Sequence, residues 1–360
     1  MAVLVSKDSG NLKQAIRAIL DHFEPILPPS RGFFLKPNIV FPVAPDTGEI
    51  TRPAVVRAVV EGLREKYGRA DIVIGEGTAA GTVPHENFDV SGFKDLAREL
   101  GVDLLDLNEV ERVTLKWKYG EIGIPAIALD RTHINLPILK LSAAAIVSGA
   151  IKNIKGLISP TMKKAFHRLG LHEPLAELAS VVRPELTILD CSNFSNGRNL
   201  FISGTDALDI DVLAVRLLQI EEPEYLALAR QKGLGGAGEE VGREHLIEFS
   251  AKKYTASPYK HMMNLRLWSN PRACSLCRET LRSMKRWPTG DLSRSLRAYI
   301  KLAMYALTGA DLVFGSKPHF ERRGKTLICI GDCTKGVAEK EGCSHIPGCP
   351  PTREDVIRHL

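Results

Sequence analysis

Gly32-Phe33-Phe34-Leu35-Lys36-Pro37-Asn38-Ile39-Val40 reads as a strand that runs into a loop at Pro37. Pro53 then opens a helix, with Thr51 as its expected N-cap and Val55, Val56, Val59, Val60 and Leu63 on one face. Ala70-Asp71-Ile72-Val73-Ile74-Gly75-Glu76-Gly77 is the next strand and loop. Strand, helix and strand in this order argue for a parallel α/β sheet. Upstream, Val3 to Val5 is a short apolar run, and Leu12, Ile16, Ile19, Leu20 and Phe23 share a helical face that Pro25, Pro28 and Pro29 end. Downstream, a helix is expected around Ser91 to Leu100, then a strand at Val102 to Leu105. A β excursion starts at Val113, turns at Tyr119-Gly120 and returns as a second strand over Glu121 to Leu129. Thr132 to Pro137 and Leu186 to Cys191 read as further strands. The expected fold is α/β, a mostly parallel sheet flanked by helices over residues 1–257. A basic, cysteine-rich, metal-binding C-terminal subdomain over residues 258–360 follows it.

Ligands of such sheets sit outside the carboxyl ends of the strands. That places Lys36, Asn38, Glu76 and Thr78 near a site. Gly75-x-Gly77 lacks the full dinucleotide fingerprint and does not follow the first strand, so a dinucleotide fold is not supported. Lys140 follows the strand at Thr132 to Pro137, and Lys152 and Asn153 stand among glycines in Ser148 to Gly156. Lysines and an asparagine there could hold an anionic or carbonyl-bearing ligand, and the same pattern fits surface lysines beside a turn. His167 and His172 lie on or beside a helix that Thr161 is expected to cap. Thr205 or Asp206 caps a helix carrying Leu208, Val212, Val215 and Leu218. Asp211 in that helix binds a ligand or cation, or faces water. Asp206 and Asp211 complete the candidate substrate-binding set of Lys36, Asn38, Glu76, Lys140, Lys152 and Asn153. Gly233 to Gly238 lacks the Lys-Ser/Thr of a phosphate loop and reads as a loop.

Six of the seven cysteines fall between Asn264 and Pro351. Cys274 and Cys277 form a C-x₂-C, Cys329 and Cys333 a C-x₃-C, and Cys343 and Cys349 follow. Thiolates are soft ligands that suit iron–sulfur clusters and zinc. The expected ligands are Cys274, Cys277, Cys333 and Cys349, with Cys329 and Cys343 as substitutes. Cys329 lies in the apolar run Thr326 to Ile330, where a thiol can point into the core. With no leader sequence read at the start and no long apolar run, the expected compartment is the cytoplasm and no membrane span is expected. The formal charge is +6, yet residues 258–300 hold nine Lys or Arg against Glu279 and Asp291. That excess suits a solvated helix face, compensation for a cluster with four thiolates, or an acidic partner such as a ferredoxin. Aromatic residues are only 6% and no recognition motif occurs, which argues against nucleic acid.

Several of these stretches together resemble a known family. They are Leu35 to Asn38 followed by Thr51 to Val60, Asp71 to Gly77, Asn135 to Lys140, Gly149 to Gly156, and Gly204 to Asp211. In this order they resemble the domain-of-unknown-function family numbered 362, over roughly Met1 to Ile220. Many of its members are described as iron–sulfur proteins, so the resemblance implies an α/β domain coupled to a 4Fe–4S cluster, and it supplies no established reaction. Two departures stand out. Ser142 occupies a place where members often carry a histidine, and the ferredoxin-like C-x₂-C-x₂-C-x₃-C-P run is missing. Ile346-Pro347-Gly348-Cys349-Pro350-Pro351 also resembles the cluster-ligating Pro-Gly-Cys-Pro-Pro loop of complex I and nickel-iron hydrogenase small subunits.

The expectation is therefore a 4Fe–4S protein, a redox enzyme or electron-transfer protein acting on a small anionic molecule bound in the α/β domain. An iron–sulfur oxidoreductase is the enzyme class that this expectation names. A non-redox protein with a structural Cys₄ zinc site, or a docking module for an acidic partner, is the alternative.

Overall fold

The computed structural model describes residues 3–7, 10–77, 84–142, 145–195, 198–236, 240–242, 244–247, 259–262, 264–269, 300–301, 303–314, 320, 322, 324–348 and 351–359. The chain divides into two compact units, residues 1–140 with 147–254 and residues 141–146 with 255–360.

The first unit is built on an eight-stranded sheet. In chain order its strands are β1 (Val3–Lys7), β2 (Phe33–Pro37), β3 (Ile72–Glu76), β4 (Asp103–Asp106), β5 (Thr132–Leu136), β6 (Leu186–Asp190), β7 (Leu200–Gly204) and β8 (Glu240–Val241). They lie in the order β8-β1-β7-β6-β5-β2-β3-β4. β7 runs antiparallel to both neighbours, and every other pairing is parallel. β2, β3, β5, β6 and β7 are buried along their whole length, as strands with helices on both faces must be. One face carries the main apolar core, where Phe33, Leu35, Ile72 and Ile74 meet Ile16 and Ile19 of helix Leu12–His22 and Val56, Val59 and Leu63 of helix Pro53–Tyr67. The connections β2→β3→β4 and β5→β6 leave in opposite directions, so the sheet reverses between β2 and β5. A crevice opens at such a point beyond the strand ends.

Local details differ from the sequence reading in three places. The return strand of the β excursion stops at Pro125, and Ile127–Asp130 is a short helix. Thr51 is not a helix cap; Arg52 holds that position. The Thr51 hydroxyl instead accepts from the Asn38 amide (2.8 Å) and donates to the Leu136 carbonyl (2.5 Å), bridging the ends of β2 and β5. Ser159, not Thr161, caps helix Pro160–Arg168, accepting from the Met162 amide.

The second unit has its own sheet: β9 (Tyr259–Met262), β10 (Leu265–Ser269), β11 (Ala310–Phe314), β12 (Thr326–Ile330) and β13 (Ser344–Ile346), in that order. Only the β9–β10 pairing is antiparallel. Alternate residues pack on opposite faces. Leu312, Phe314, Ile328 and Ile330 join one cluster, and Trp268, Val313, Leu327 and Cys329 the other. The described part of the tail is thus an α/β layer with apolar cores of its own. Among the described residues, no group of three or more metal-ligating side chains occurs, and no helix is long and apolar enough to cross a membrane.

Candidate functional site

Beyond the carboxyl ends of β2, β3 and β5 lies a closed network of polar side chains. Lys36 interrupts the apolar run of β2 and is fully buried. Its Nζ donates to Glu76 Oε1 at the end of β3 (2.9 Å), to the Pro37 carbonyl (3.1 Å) and to Asn153 Oδ1 (3.4 Å). Burial pulls the Lys36 pKa down, and the Glu76 carboxylate opposes that pull. Glu76 is itself 1% exposed. It accepts two further bonds, from the amides of Gly77 (2.8 Å) and Ile39 (3.0 Å).

Asn153 sits on the short helix Ala150–Ile154 and is the hub of the network. Its amide nitrogen donates to Asn135 Oδ1 (2.8 Å) on β5, directly opposite Lys36 in the strand register. Its oxygen also accepts from Asn38 Nδ2 (2.9 Å). That bond turns the Asn38 oxygen outward, where it accepts from Lys140 Nζ (2.7 Å). Lys140 also donates to the Glu49 carbonyl. The buried pair therefore orients Asn153, Asn153 orients Asn38, and Asn38 fixes Lys140, which is partly exposed. A buried Lys–Glu pair cannot meet a ligand directly, so Lys140 is the outward-facing end of the chain of bonds.

Two glycines close over the ion pair. A Cβ on Gly156 would lie 2.2 Å from Glu76 Oε1 and 2.4 Å from Lys36 Nζ, and one on Gly77 would lie 2.3 Å from the Gly156 carbonyl. Gly156→Ala is expected to cost about 1–3 kcal/mol, because the added methyl overpacks a buried ion pair that has no slack. Denaturant unfolding measures it. A loss under about 0.5 kcal/mol would mean that the turn moves aside freely.

The structure thus brings together five of the expected residues, Lys36, Asn38, Glu76, Lys140 and Asn153. Lys152 stands beside Asn153 and is partly exposed. Asp206 and Asp211 go elsewhere. Asp206 caps helix Ala207–Leu218, accepting from the amides of Leu208 (2.8 Å) and Asp209 and, through its second oxygen, from that of Gly235 (3.0 Å). Asp211 is fully buried and takes the amides of Ala150 (2.6 Å) and Ile151 (3.0 Å) and the Tyr225 hydroxyl (3.4 Å). Burial pushes its pKa up to about 7 against those three donors. Its bonds anchor the helix that carries Asn153. His172 is buried, and Thr78 and the His167 side chain lie outside the described residues.

Sequence reasoning passed over Lys163. It lies on helix Pro160–Arg168, is only 6% exposed, and donates to the Gly77 carbonyl at 2.5 Å. Burial pulls its pKa down to about 7. A lysine on a short amphipathic helix ordinarily reaches water, so nothing local in the sequence marks it.

In the second unit, Cys333 is exposed just past β12. Cys329 is buried within β12, its Sγ lies 3.6 Å from that of Cys343, and burial and that neighbour push its pKa up to about 12. Cys274, Cys277 and Cys349 lie outside the described residues.

The sequence profile of a Domain of unknown function (DUF362) matches residues 34–216, half of the chain. The chain belongs to the DUF362 family. The matched DUF362 region spans the whole polar network, from Lys36 to Asn153, together with Lys163, Asp206 and Asp211, and it ends before the six C-terminal cysteines. The chain is also similar to the "Thylakoid-associated protein sll1697" of Synechocystis sp. (strain ATCC 27184 / PCC 6803 / Kazusa). It is 26% identical to that protein over 254 residues, which cover 64% of this chain and 77% of the relative.

Proposed function

We propose that this DUF362 protein is an iron–sulfur redox protein that handles a small anionic molecule at the carboxyl edge of its first sheet. The observation that carries the iron–sulfur half is the setting of Cys333. The Asp332 amide donates to the Gly348 carbonyl (3.0 Å) and the Gly348 amide to Asp332 Oδ1 (2.7 Å). The loop bearing the exposed Cys333 is thereby tied to the loop that leads into Cys349. Cys329 fits a ligand role poorly, since burial raises its thiol pKa and a cluster needs thiolates. Its contact with Cys343 engages both as a pair. The proposed ligands are accordingly Cys274, Cys277, Cys333 and Cys349, and a 4Fe–4S group on them would supply one-electron chemistry.

The anionic half is supported by the polar network. Lys140 offers a positioned ammonium at its rim, and Lys152 a second one nearby. Such charge, fixed before a ligand arrives, steadies an anion or a developing negative charge. The basic stretch 258–300 suits an acidic electron-transfer partner such as a ferredoxin.

Metal and sulfide analysis of anaerobically purified chain, with an absorption spectrum, tests the reading. About four irons per chain and a broad visible absorption that dithionite bleaches are expected. Cys333→Ser should lose most of the iron, while Cys329→Ser and Cys343→Ser retain it. Colourless protein with one zinc per chain would overturn the redox reading and leave the cysteines a structural zinc site.

A further inference from the structure

Two cysteines that the proposed cluster does not use meet in the second unit. Cys329 lies on β12 and is wholly buried, in an apolar cluster with Trp268, Val313, Leu327 and Ala338. Cys343 is partly exposed and reaches the same cluster from the turn between helix Lys335–Glu341 and β13. Gly342, at φ +58°, makes that turn, and the Cys343 amide donates to the Ala338 carbonyl (3.1 Å). The parallel register sets Ser344 beside Ile328 and His345 beside Cys329. Cys343 therefore falls on the face that Leu327 shares with Cys329. The two sulfurs lie 3.6 Å apart. A disulfide bond is about 2.0 Å long, so closing it asks for about 1.6 Å of movement. Cys343 precedes the paired residues of β13, so its backbone lies outside the strand ladder and can supply that movement.

We propose that Cys329 and Cys343 form a thiol–disulfide modification site, oxidised by a low-molecular-weight disulfide, and that the bond locks the loop carrying Cys333 between β12 and β13. Cys343, the partly exposed member, is the entry point. Its thiolate attacks one sulfur of the incoming disulfide, forms a mixed disulfide and releases one thiolate. The Cys329 thiolate then attacks the Cys343 sulfur, forms the Cys329–Cys343 bond and expels the second. Both cysteine sulfurs are oxidised, the incoming disulfide takes the two electrons, and its two thiolates take up the two protons that the cysteines release. Burial holds the Cys329 thiol protonated, so the second step is the slower one and quickens as pH rises. Neither sulfur is among the proposed cluster ligands, so the pair closes whether or not a cluster is held. The bond encloses Ile330 to Gly342, a segment that includes Cys333 and helix Lys335–Glu341. Joining the ends of such a segment removes the open conformations it could otherwise reach.

Oxidised glutathione, added to the anaerobically purified full chain at about pH 8 until the products stop changing, tests both parts. The chain is then quenched in acid and its cysteines mapped by peptide mass spectrometry. Wild type is expected to give a Cys329–Cys343 linked peptide, with two glutathione thiols released per bond. Cys329→Ala, which keeps a small apolar side chain in the cluster, should stop with glutathione held on Cys343. Cys343→Ala should leave Cys329 unmodified, because burial denies the reagent access. Lys335 and Lys340 are exposed within the enclosed segment. Tryptic cleavage after them should slow at least about tenfold when wild type is oxidised, and not at all when Cys329→Ala is treated alike. Wild type with both thiols free, with glutathione retained on Cys343, or with Cys329 joined to another cysteine would overturn the site. A linked peptide with unchanged cleavage would overturn the lock and leave the modification site standing.

Discussion

Glu76→Gln is expected to destabilise the first unit by about 3–5 kcal/mol, because it leaves the Lys36 ammonium buried and unpaired. Lys36 is wholly buried and Glu76 1% exposed, so no water replaces the lost partner. The damage extends beyond the pair. The Glu76 carboxylate also accepts the amides of Ile39 and Gly77, and a carboxamide can accept through only one of its two ends. Equilibrium unfolding in denaturant measures the loss. The double replacement Lys36→Met with Glu76→Leu, which removes both charges and keeps volume, is expected to recover much of it. A single variant within about 1 kcal/mol of wild type would mean that the pair is solvated in solution. Where the single variant still folds, its anion affinity should fall too, since Lys36 helps to orient Asn153 and hence Asn38 and Lys140.

A second large effect is expected from Lys163, in the pH dependence of stability. Its folded-state pKa is lowered to about 7 by burial, whereas an unfolded lysine titrates near about 10.4. Below pH 7 both states hold the proton and Lys163 adds no slope. Above it the unfolded state binds more protons, so stability rises with pH by up to about 1.4 kcal/mol per unit until the unfolded pKa is reached. The total is at most about 5 kcal/mol. Lys163→Met removes this component, and every other titrating group stays in both proteins. The variant should therefore be the more stable of the two below pH 7, with the curves converging towards pH 10. Parallel curves would show that Lys163 is solvated.

The alternation of apolar runs and amphipathic helices marked the parallel sheet, because burial on both faces writes continuous Val, Ile and Phe runs into a strand. Lys36, Asn38 and Glu76 were legible as polar residues just at or beyond strand ends, where parallel sheets expose their ligand crevice, and Asn153 as a polar residue among glycine-permitted bends. Asp211, a candidate within a helix, serves as the anchor of another helix, and Thr51 bridges two strands where a helix cap was expected. Cys329 and Cys343 were candidate ligands by composition, and packing sets their sulfurs against each other. Lys163 carried no signal at all.

What the sequence by itself determined is the set of elements and the residue types at their ends, since both follow from local periodicity and turn chemistry. What only the tertiary structure decided is which of those polar groups lose water and which partner each then finds. Lys36 meets Glu76 across 40 residues and Asn38 meets Asn153 across 115. Desolvation depends on everything packed around a group, and no window of sequence contains that.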